Sequence, residues 1–265
     1  MQRNTVKNSG GKRCKGTSAP NGPDGPLITV VTPVFNGDKD LEASIQSVLN
    51  QEYRNIEYIL IDGGSTDKTL DILRKYDDSI DYWISEPDRG IYDAMNKAVD
   101  LAHGQWVYFM GSDDALRDSL KEVAPYLVDE RTVYYGNVFN TGSKKVYDGP
   151  FGPWKLCRCN ICQQAILYPR SLFENQRFNL EYPVAADWEF NLRILANPHF
   201  RFQYLPVLFA DYNDLGGVSA VGPVDERFQR NKSSLIRDFL PFPYYILHRI
   251  EKIVRPLLYG EKKRL

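Results

Sequence analysis

The sequence predicts an α/β fold with a mostly parallel central sheet flanked by helices and a mixed second half. Three observations predict it. Apolar, β-branched runs at 27–35, 56–62 and 105–110 suit strands buried on both faces. Helix-length segments with one apolar face separate them. Polar turn residues close each run, and strand–helix alternation of this kind implies parallel pairing.

The composition is that of a soluble globular chain. Of 265 residues, 43% are hydrophobic and 25% charged, which excludes wholesale disorder and fibrous repeats. A net charge of -1 argues against binding nucleic acid through overall basic charge. The charge is unevenly placed. Residues 1–26 carry Arg3, Lys7, Lys12, Arg13 and Lys15 against Asp24 alone, and residues 239–265 carry six basic residues against two acids. No apolar run reaches the length of a membrane span and the start lacks the apolar stretch of a leader, so a cytoplasmic location is expected.

Taken in order, residues 1–26 are rich in Gly, Asn, Ser, Pro and Lys and read as a disordered polar, basic tail, because they offer little surface to bury. The domain opens with LITVVTPVF and the turn Asn36-Gly37-Asp38, followed by a helix over 39–50. Strand 56–62, the turn GGST and a helix over 67–76 come next. A further strand at 80–85, the loop EPDRG and an amphipathic helix over 91–102 lead to strand 105–110, which ends in GSDD.

Past residue 115 the pattern loosens. It predicts a helix over 116–128, a hairpin from Thr132 to Asp148, a Pro/Gly/Cys-rich loop, a helix over 187–197 and a strand over 200–210. The domain thus spans 27–238 in two halves, 27–114 with the regular alternation and 115–238 with the looser pattern. Residues 239–265 form a basic amphipathic segment in which Tyr245, Ile246, Ile250, Ile253 and Val254 alternate with Arg249, Lys252 and Arg255. Such a segment either packs on the domain or docks on the cytoplasmic face of a membrane.

The chemistry gathers at the carboxyl ends of the strands, where open α/β sheets bind ligands. Those ends carry Thr32–Asn36, Asp62–Asp67, Glu86–Gly90 and Ser112–Asp114. Adjacent carboxylates such as Asp113 and Asp114 are costly to gather without a cation, and a divalent ion carrying substrate phosphates meets that need. Asp62 is placed to accept from a base or ribose and Arg89 to counter phosphate charge. Gly63-Gly64 matches neither a dinucleotide fingerprint nor a P-loop.

The motifs TVVTPVFNG, LIDGGSTDKTLDIL, SEPDRGIYDAMNKAVDLAHGQWVYFMGSDD and VAADWEFNLR, in this order, resemble family-2 glycosyltransferases over about residues 27–220. The resemblance implies a GT-A fold, a nucleotide-diphospho-sugar donor, Mg²⁺ or Mn²⁺, and inversion by direct displacement. It places Pro33, Phe35 and Asn36 along the nucleotide, Asp62 at the base or ribose, Asp113 and Asp114 in the DxD-like metal position, and Asp187 as catalytic base. The triplet departs from the pattern in opening with Ser112, which shifts the expected metal ligation toward Asp114. Gln163-Gln164 stands where relatives often carry His-Gln. The GIYDAMNKA, AADWEF and GGVS elements are most similar to the bacterial subgroup that builds surface polysaccharides, including colanic-acid-type enzymes, which implies a glycan or lipid-linked acceptor.

Asp93 and Asn96 open a helix beside the phosphate loop and either touch the donor sugar or hold that loop. Trp154, Gln164 and Trp188 are the acceptor-side candidates, since flat rings stack on sugars. The cluster Cys157, Cys159 and Cys162 lacks a fourth ligand at zinc spacing. Two alternatives stand beside the transferase reading. A nucleotidyltransferase would want a Gly-rich basic loop after the first strand, which TPVFNGDKD lacks. An inactive glycan-binding or scaffolding module would not need the set Asp62, Asp113, Asp114 and Asp187.

Overall fold

The computed structural model describes residues 8–17, 25–217 and 224–259, with side chains to Val254. Asn8–Gly10 forms a first short strand, β1, and Lys12–Lys15 a 3-10 turn. Then follow Ile28–Val34 (β2), Leu41–Leu49 (α1), Ile56–Asp62 (β3), Thr69–Lys75 (α2), Tyr82–Ser85 (β4), Ile91–Leu101 (α3) and Trp106–Phe109 (β5). Parallel pairing joins β4 to β3, β3 to β2 and β2 to β5. This is the predicted half of the sheet, and its helices cover both faces.

The period-two alternation of the strands explains the layering. Val31, Ile59 and Ile61 point to one face, where they meet Met95 and Ala98 of α3. Val30, Tyr58 and Leu60 point to the other, against Leu41 and Ile45 of α1 and Leu73 of α2. Both strands are therefore predominantly apolar and buried on both faces.

The second half is mixed. Ala115–Leu116 (β6), Leu120–Val123 (α4), Thr132–Asn140 (β7), Lys145–Tyr147 (β8), Pro153–Arg158 (α5), Ile166–Pro169 (β9), Ala186–Ala196 (α6), Arg201–Tyr212 (β10), Glu226–Phe239 (α7) and Phe242–Tyr259 (α8) complete the described elements. The strand order is β1-β4-β3-β2-β5-β9-β7-β10-β6, with β8 paired to β7 as the predicted hairpin. β9 runs antiparallel to both β5 and β7, so it is the strand at which the parallel half turns mixed.

Three expectations are corrected. The span 116–128 is not one helix. Its first residues pair with β10 as β6, and Pro125, which lacks an N–H, ends the short α4 in a 3-10 turn. The Pro/Gly/Cys-rich loop contains α5, which starts on Pro153 at its first turn. The tail 1–26 is ordered over Asn8–Thr17, where β1 adds to the edge of β4. There Lys12 pairs with Asp81 at 2.9 Å and Lys15 with Asp77, while Arg13 pairs with the buried Glu57. Gly10 lies flat on Trp83, where a Cβ would stand 2.6 Å from the indole ring. Main-chain pairing and charge fix this segment without apolar burial, which is why composition alone misreads it. The rest of the tail, 1–7 and 18–24, lies outside the described residues, as do Val218 and Ser219 of GGVS.

No helix among the described residues is long and apolar enough to cross a membrane.

Candidate active site

Parallel register brings the ends of three strands together. Val34 of β2 pairs with Asp62 of β3, and Asp62 with Ser85 of β4. The loops that follow, with Gly111–Asp113 after β5, enclose a cavity of about 540 Å³. Its wall includes Pro33, Phe35, Asn36, Gly63, Gly90 and Asp113. Pro33, Phe35, Asn36 and Asp113 are thus brought together as expected.

Phe35 is 64% exposed, an unusual position for a large ring on a well-packed domain. Asn36 takes a left-handed backbone, φ 52, and is pinned there by two loops of contact. Its N–H donates to Ser65 Oγ at 2.7 Å, and its Oδ1 accepts from the Thr66 N–H at 2.9 Å. The strand-end turn is thereby locked to the GGST turn.

Asp62 is placed otherwise than expected. It is 0% exposed, and its carboxylate accepts from the Ser65 N–H at 3.2 Å and from Ser85 Oγ at 2.6 Å. It holds the shape of the Ser65 turn rather than presenting an oxygen to the cavity. Arg89 also turns away: its side chain is exposed and donates to Asp93 Oδ1 at 3.0 Å. Asp93 is buried and accepts as well from the Arg89 N–H at 3.1 Å. Asn96 exchanges both hydrogen bonds with the Phe178 backbone at 3.0 Å. Both Asp93 and Asn96 thus hold neighbouring loops.

The acidic pair divides its work. Asp113 faces the cavity, where its Oδ2 accepts from Asn213 Nδ2 at 3.2 Å. Asp114 is buried behind it, accepting from the Asn213 N–H and from Gln164 Nε2, each at 2.8 Å. Burial pushes the Asp114 carboxyl up to about 7, with Asp113 beside it adding to the effect. Burial also raises Asp113. Contrary to the expected weight on Asp114, Asp113 is the carboxylate turned to the cavity.

Asp40 and Asp88 join Asp113 on this wall, and no Lys or Arg lines it among the described residues. The chemistry of this wall, carboxylates without a Lys or Arg, fits a divalent cation, with Asp113 as the residue that would hold it. No three His, Cys, Asp or Glu side chains converge as a complete site among the described residues.

A second cavity of about 530 Å³ opens beside the first, and Ile91 lines both. Its wall includes Tyr92, Asn160, Gln164, Asp187, Trp188 and Phe228. Asp187 lies in the first turn of α6, and three donors fix it. Its Oδ1 accepts from Tyr92 OH at 2.8 Å and from the Trp188 N–H at 2.9 Å, and its Oδ2 from Asn160 Nδ2 at 2.8 Å. Asn160 is held in turn by Asn191 Nδ2, which donates to its Oδ1 at 2.9 Å. Desolvation nevertheless pushes the Asp187 carboxyl up to about 6, against the pull of these donors. A buried, hydrogen-bonded carboxylate raised to this range has the chemistry a general base near neutral pH requires.

Gln164 and Trp188 both line this second cavity. Trp188 donates from Nε1 to the Leu156 carbonyl at 2.7 Å, and Lys232 Nζ lies 3.7 Å from its ring centre. Trp154 instead packs against the core from α5. The cysteines are dispersed: Cys157 is buried among apolar side chains, whereas Cys162 lines the cavity and donates to Gln164 Oε1 at 3.1 Å. Burial raises both thiols, which leaves them protonated and unreactive at neutral pH.

Sequence reasoning missed Tyr92 and Asn160. Tyr92 sits inside the GIYDAM segment, where the acid drew attention. Asn160 sits between cysteines whose spacing suggested a metal. Their partner Asp187 is about 27 residues or more away in sequence, so no local pattern signals the contact.

The model of glycosyl transferase family 2 matches residues 29–181. A PGL/p-HBAD biosynthesis glycosyltransferase of Mycobacterium bovis is 35% identical over 238 residues, covering 86% of this chain and 93% of the relative. An uncharacterized glycosyltransferase of Haemophilus influenzae is 35% identical over 117 residues, covering 42% of this chain and 47% of the relative. Among solved structures, S. aureus TarS 1–349 in complex with UDP-GlcNAc superposes with a TM-score of 0.66 at 18% identity, covering 88% of this chain and 73% of that one. Mannosyltransferase PcManGT from Pyrobaculum calidifontis, in complex with GDP-Man and Mn²⁺, gives a TM-score of 0.57 at 18% identity, covering 95% and 81%. At these identities the structures establish the shared GT-A-like fold.

Proposed function

This chain belongs to glycosyl transferase family 2, and we propose that it moves a hexose from a nucleotide-diphosphate sugar to a hydroxyl of a glycan or lipid-linked acceptor, with inversion. The observation that carries the reading is the meeting of two cavities at Ile91, one with Phe35 and Asp113 on its wall and the other with Asp187. A donor and an acceptor lying in them come together beside the opening of α3.

In this reading the base lies against the exposed Phe35 and the turn at Asn36, and the diphosphate extends toward Asp113 and the first turn of α3, whose N–H groups favour an anion. Asp113, backed by Asp114, would hold Mg²⁺ or Mn²⁺. When bound, that ion neutralises the diphosphate and stabilises it as a leaving group. Asp187 accepts the proton of the acceptor hydroxyl while its oxygen attacks the anomeric carbon. The bond from that carbon to the diphosphate oxygen breaks, the nucleotide diphosphate leaves with the electron pair, and the configuration inverts. Tyr92 and Asn160 keep the Asp187 oxygens aimed at the acceptor. The identity with the mycobacterial enzyme, whose name places it in PGL biosynthesis, supports an acceptor that is a glycan or carries a lipid.

A thermal-shift screen of UDP, GDP, dTDP and CMP, each with and without Mn²⁺, tests the donor site. A ligand bound only by the folded state at a hundred times its Kd adds about 2.7 kcal/mol, a shift that is easily read. Metal-dependent stabilisation by one diphosphate is expected. No response to any of them favours an inactive module of the same fold.

A further inference from the structure

The last described helix, α8, packs one face on the domain and leaves an apolar face in water. Its inner face sets Tyr244 and Tyr245 against the core and adds two polar ties. His248 Nε2 and Ser233 Oγ of α7 are 3.2 Å apart, and Glu251 pairs with Arg158 of α5 at 3.0 Å. Its outer face carries Phe242, Ile246, Leu247, Ile250, Ile253 and Val254, all exposed. Phe242, Ile250 and Ile253 are 66%, 52% and 63% exposed, and their spacing puts them on one stripe. Monomeric proteins rarely leave so large an apolar stripe in water without a partner for it.

We infer that this stripe docks α8 in the plane of an anionic lipid bilayer surface. Charge decides the occupant. Arg249 and Lys252 are exposed beside the stripe, and the sequence continues with Arg255, Lys262, Lys263 and Arg264 against Glu261 alone. An apolar stripe edged with cations matches acyl chains beneath anionic headgroups. Pairing of two copies through the same stripe would bring those cations together, which opposes a dimer.

Docking also bears on the substrate. The helix on which α8 packs, α7, supplies Phe228 and Gln229 to the cavity that holds Asp187. A docked α8 therefore ties the acceptor cavity to the membrane surface, as suits an acceptor hydroxyl carried on an amphiphile. The link to the acceptor depends on the transferase activity proposed above, whereas the docking itself does not.

Flotation of the full chain with vesicles of phosphatidylcholine alone, and of phosphatidylcholine with phosphatidylglycerol at about three to one, tests the docking. The chain is expected to float with the anionic vesicles, more weakly with the neutral ones, and to be released by salt. Ile250→Glu with Ile253→Glu should cut the bound fraction by about tenfold or more without moving the melting temperature, since both side chains are exposed. Arg249→Glu with Lys252→Glu should remove the preference for anionic vesicles. A parent that floats with neither vesicle, or an isoleucine variant that floats like its parent, overturns the proposal. Dimerisation of the parent that the isoleucine substitutions abolish overturns it too, and gives the stripe to a second copy. A failed nucleotide screen would leave the flotation result unchanged, so the two readings fail separately.

Discussion

Gln164 Nε2 donates to Asp114 Oδ2 at 2.8 Å, and this bond ties the wall of one cavity to the back of the other. The acidic pair after β5 is thereby held by a residue from the acceptor half. A change on one side is felt on the other.

Gln164→Leu keeps the size of the side chain and removes that donor, leaving one oxygen of a buried carboxylate without its partner. Such a loss typically costs about 1–3 kcal/mol. Mn²⁺-dependent nucleotide-diphosphate affinity, read by calorimetry, should fall by roughly 5- to 100-fold. An unchanged affinity would show that Asp114 does not support the donor site.

Asp187→Asn should leave nucleotide binding intact and lower turnover by about 10²–10⁴, the usual contribution of a general base. Product formation followed by mass spectrometry, beside thermal shift with the diphosphate, separates the two effects. Turnover equal to the parent's removes Asp187 from the chemistry.

The pH profile carries a sign. With the Asp187 carboxyl raised to about 6, kcat/KM should climb as pH rises through 6, because only the deprotonated form accepts a proton. Asn160 donates to that carboxylate and favours its charged form. Asn160→Ala should move the limb to higher pH, which a purely structural role would not do. Stability follows the same linkage: a raised folded value contributes stability below the unfolded pKa, lost as pH rises through about 4 to 6. Asp187→Asn should lessen the loss of stability across that window in urea titrations, with the share due to Asp114 and Asp113 remaining.

Phe35→Ala removes an exposed ring from the cavity wall and should weaken diphosphate binding by about 2- to 12-fold, the worth of an aromatic stack. The melting temperature without ligand should hold, because the ring covers no core. A variant that binds as the parent does would place the base elsewhere.

Arg13→Ala should destabilise the domain by about 3–5 kcal/mol in urea, since Glu57 is fully buried and loses its ionic partner. Thr29 Oγ1 and the His103 N–H also donate to Glu57, at 2.6 and 2.8 Å, and remain. A neutral result would mean these donors suffice and that the strap at β1 is dispensable.

What the sequence determined is the part written in local pattern. Runs such as ITVVTPV and IEYILID are predominantly apolar and buried along nearly their whole length because both faces of their strands are covered, so they announce a parallel sheet before any contact is known. Turns that follow them must lie at one end of that sheet, which is why Pro33, Phe35, Asn36 and Asp113 were legible as one wall. Tertiary structure alone decided the roles of charged and polar groups, because a hydrogen bond depends on what arrives from elsewhere in the chain. Asp62 looks like a ligand contact until Ser65 and Ser85 close on it, and Arg89 like a phosphate clamp until Asp93 holds it. Residues 8–17 look unstructured until the edge of β4 and the acids at 57, 77 and 81 meet them. Periodicity records which face is buried, while the partner of a carboxylate is set by the packing of segments up to about a hundred residues apart.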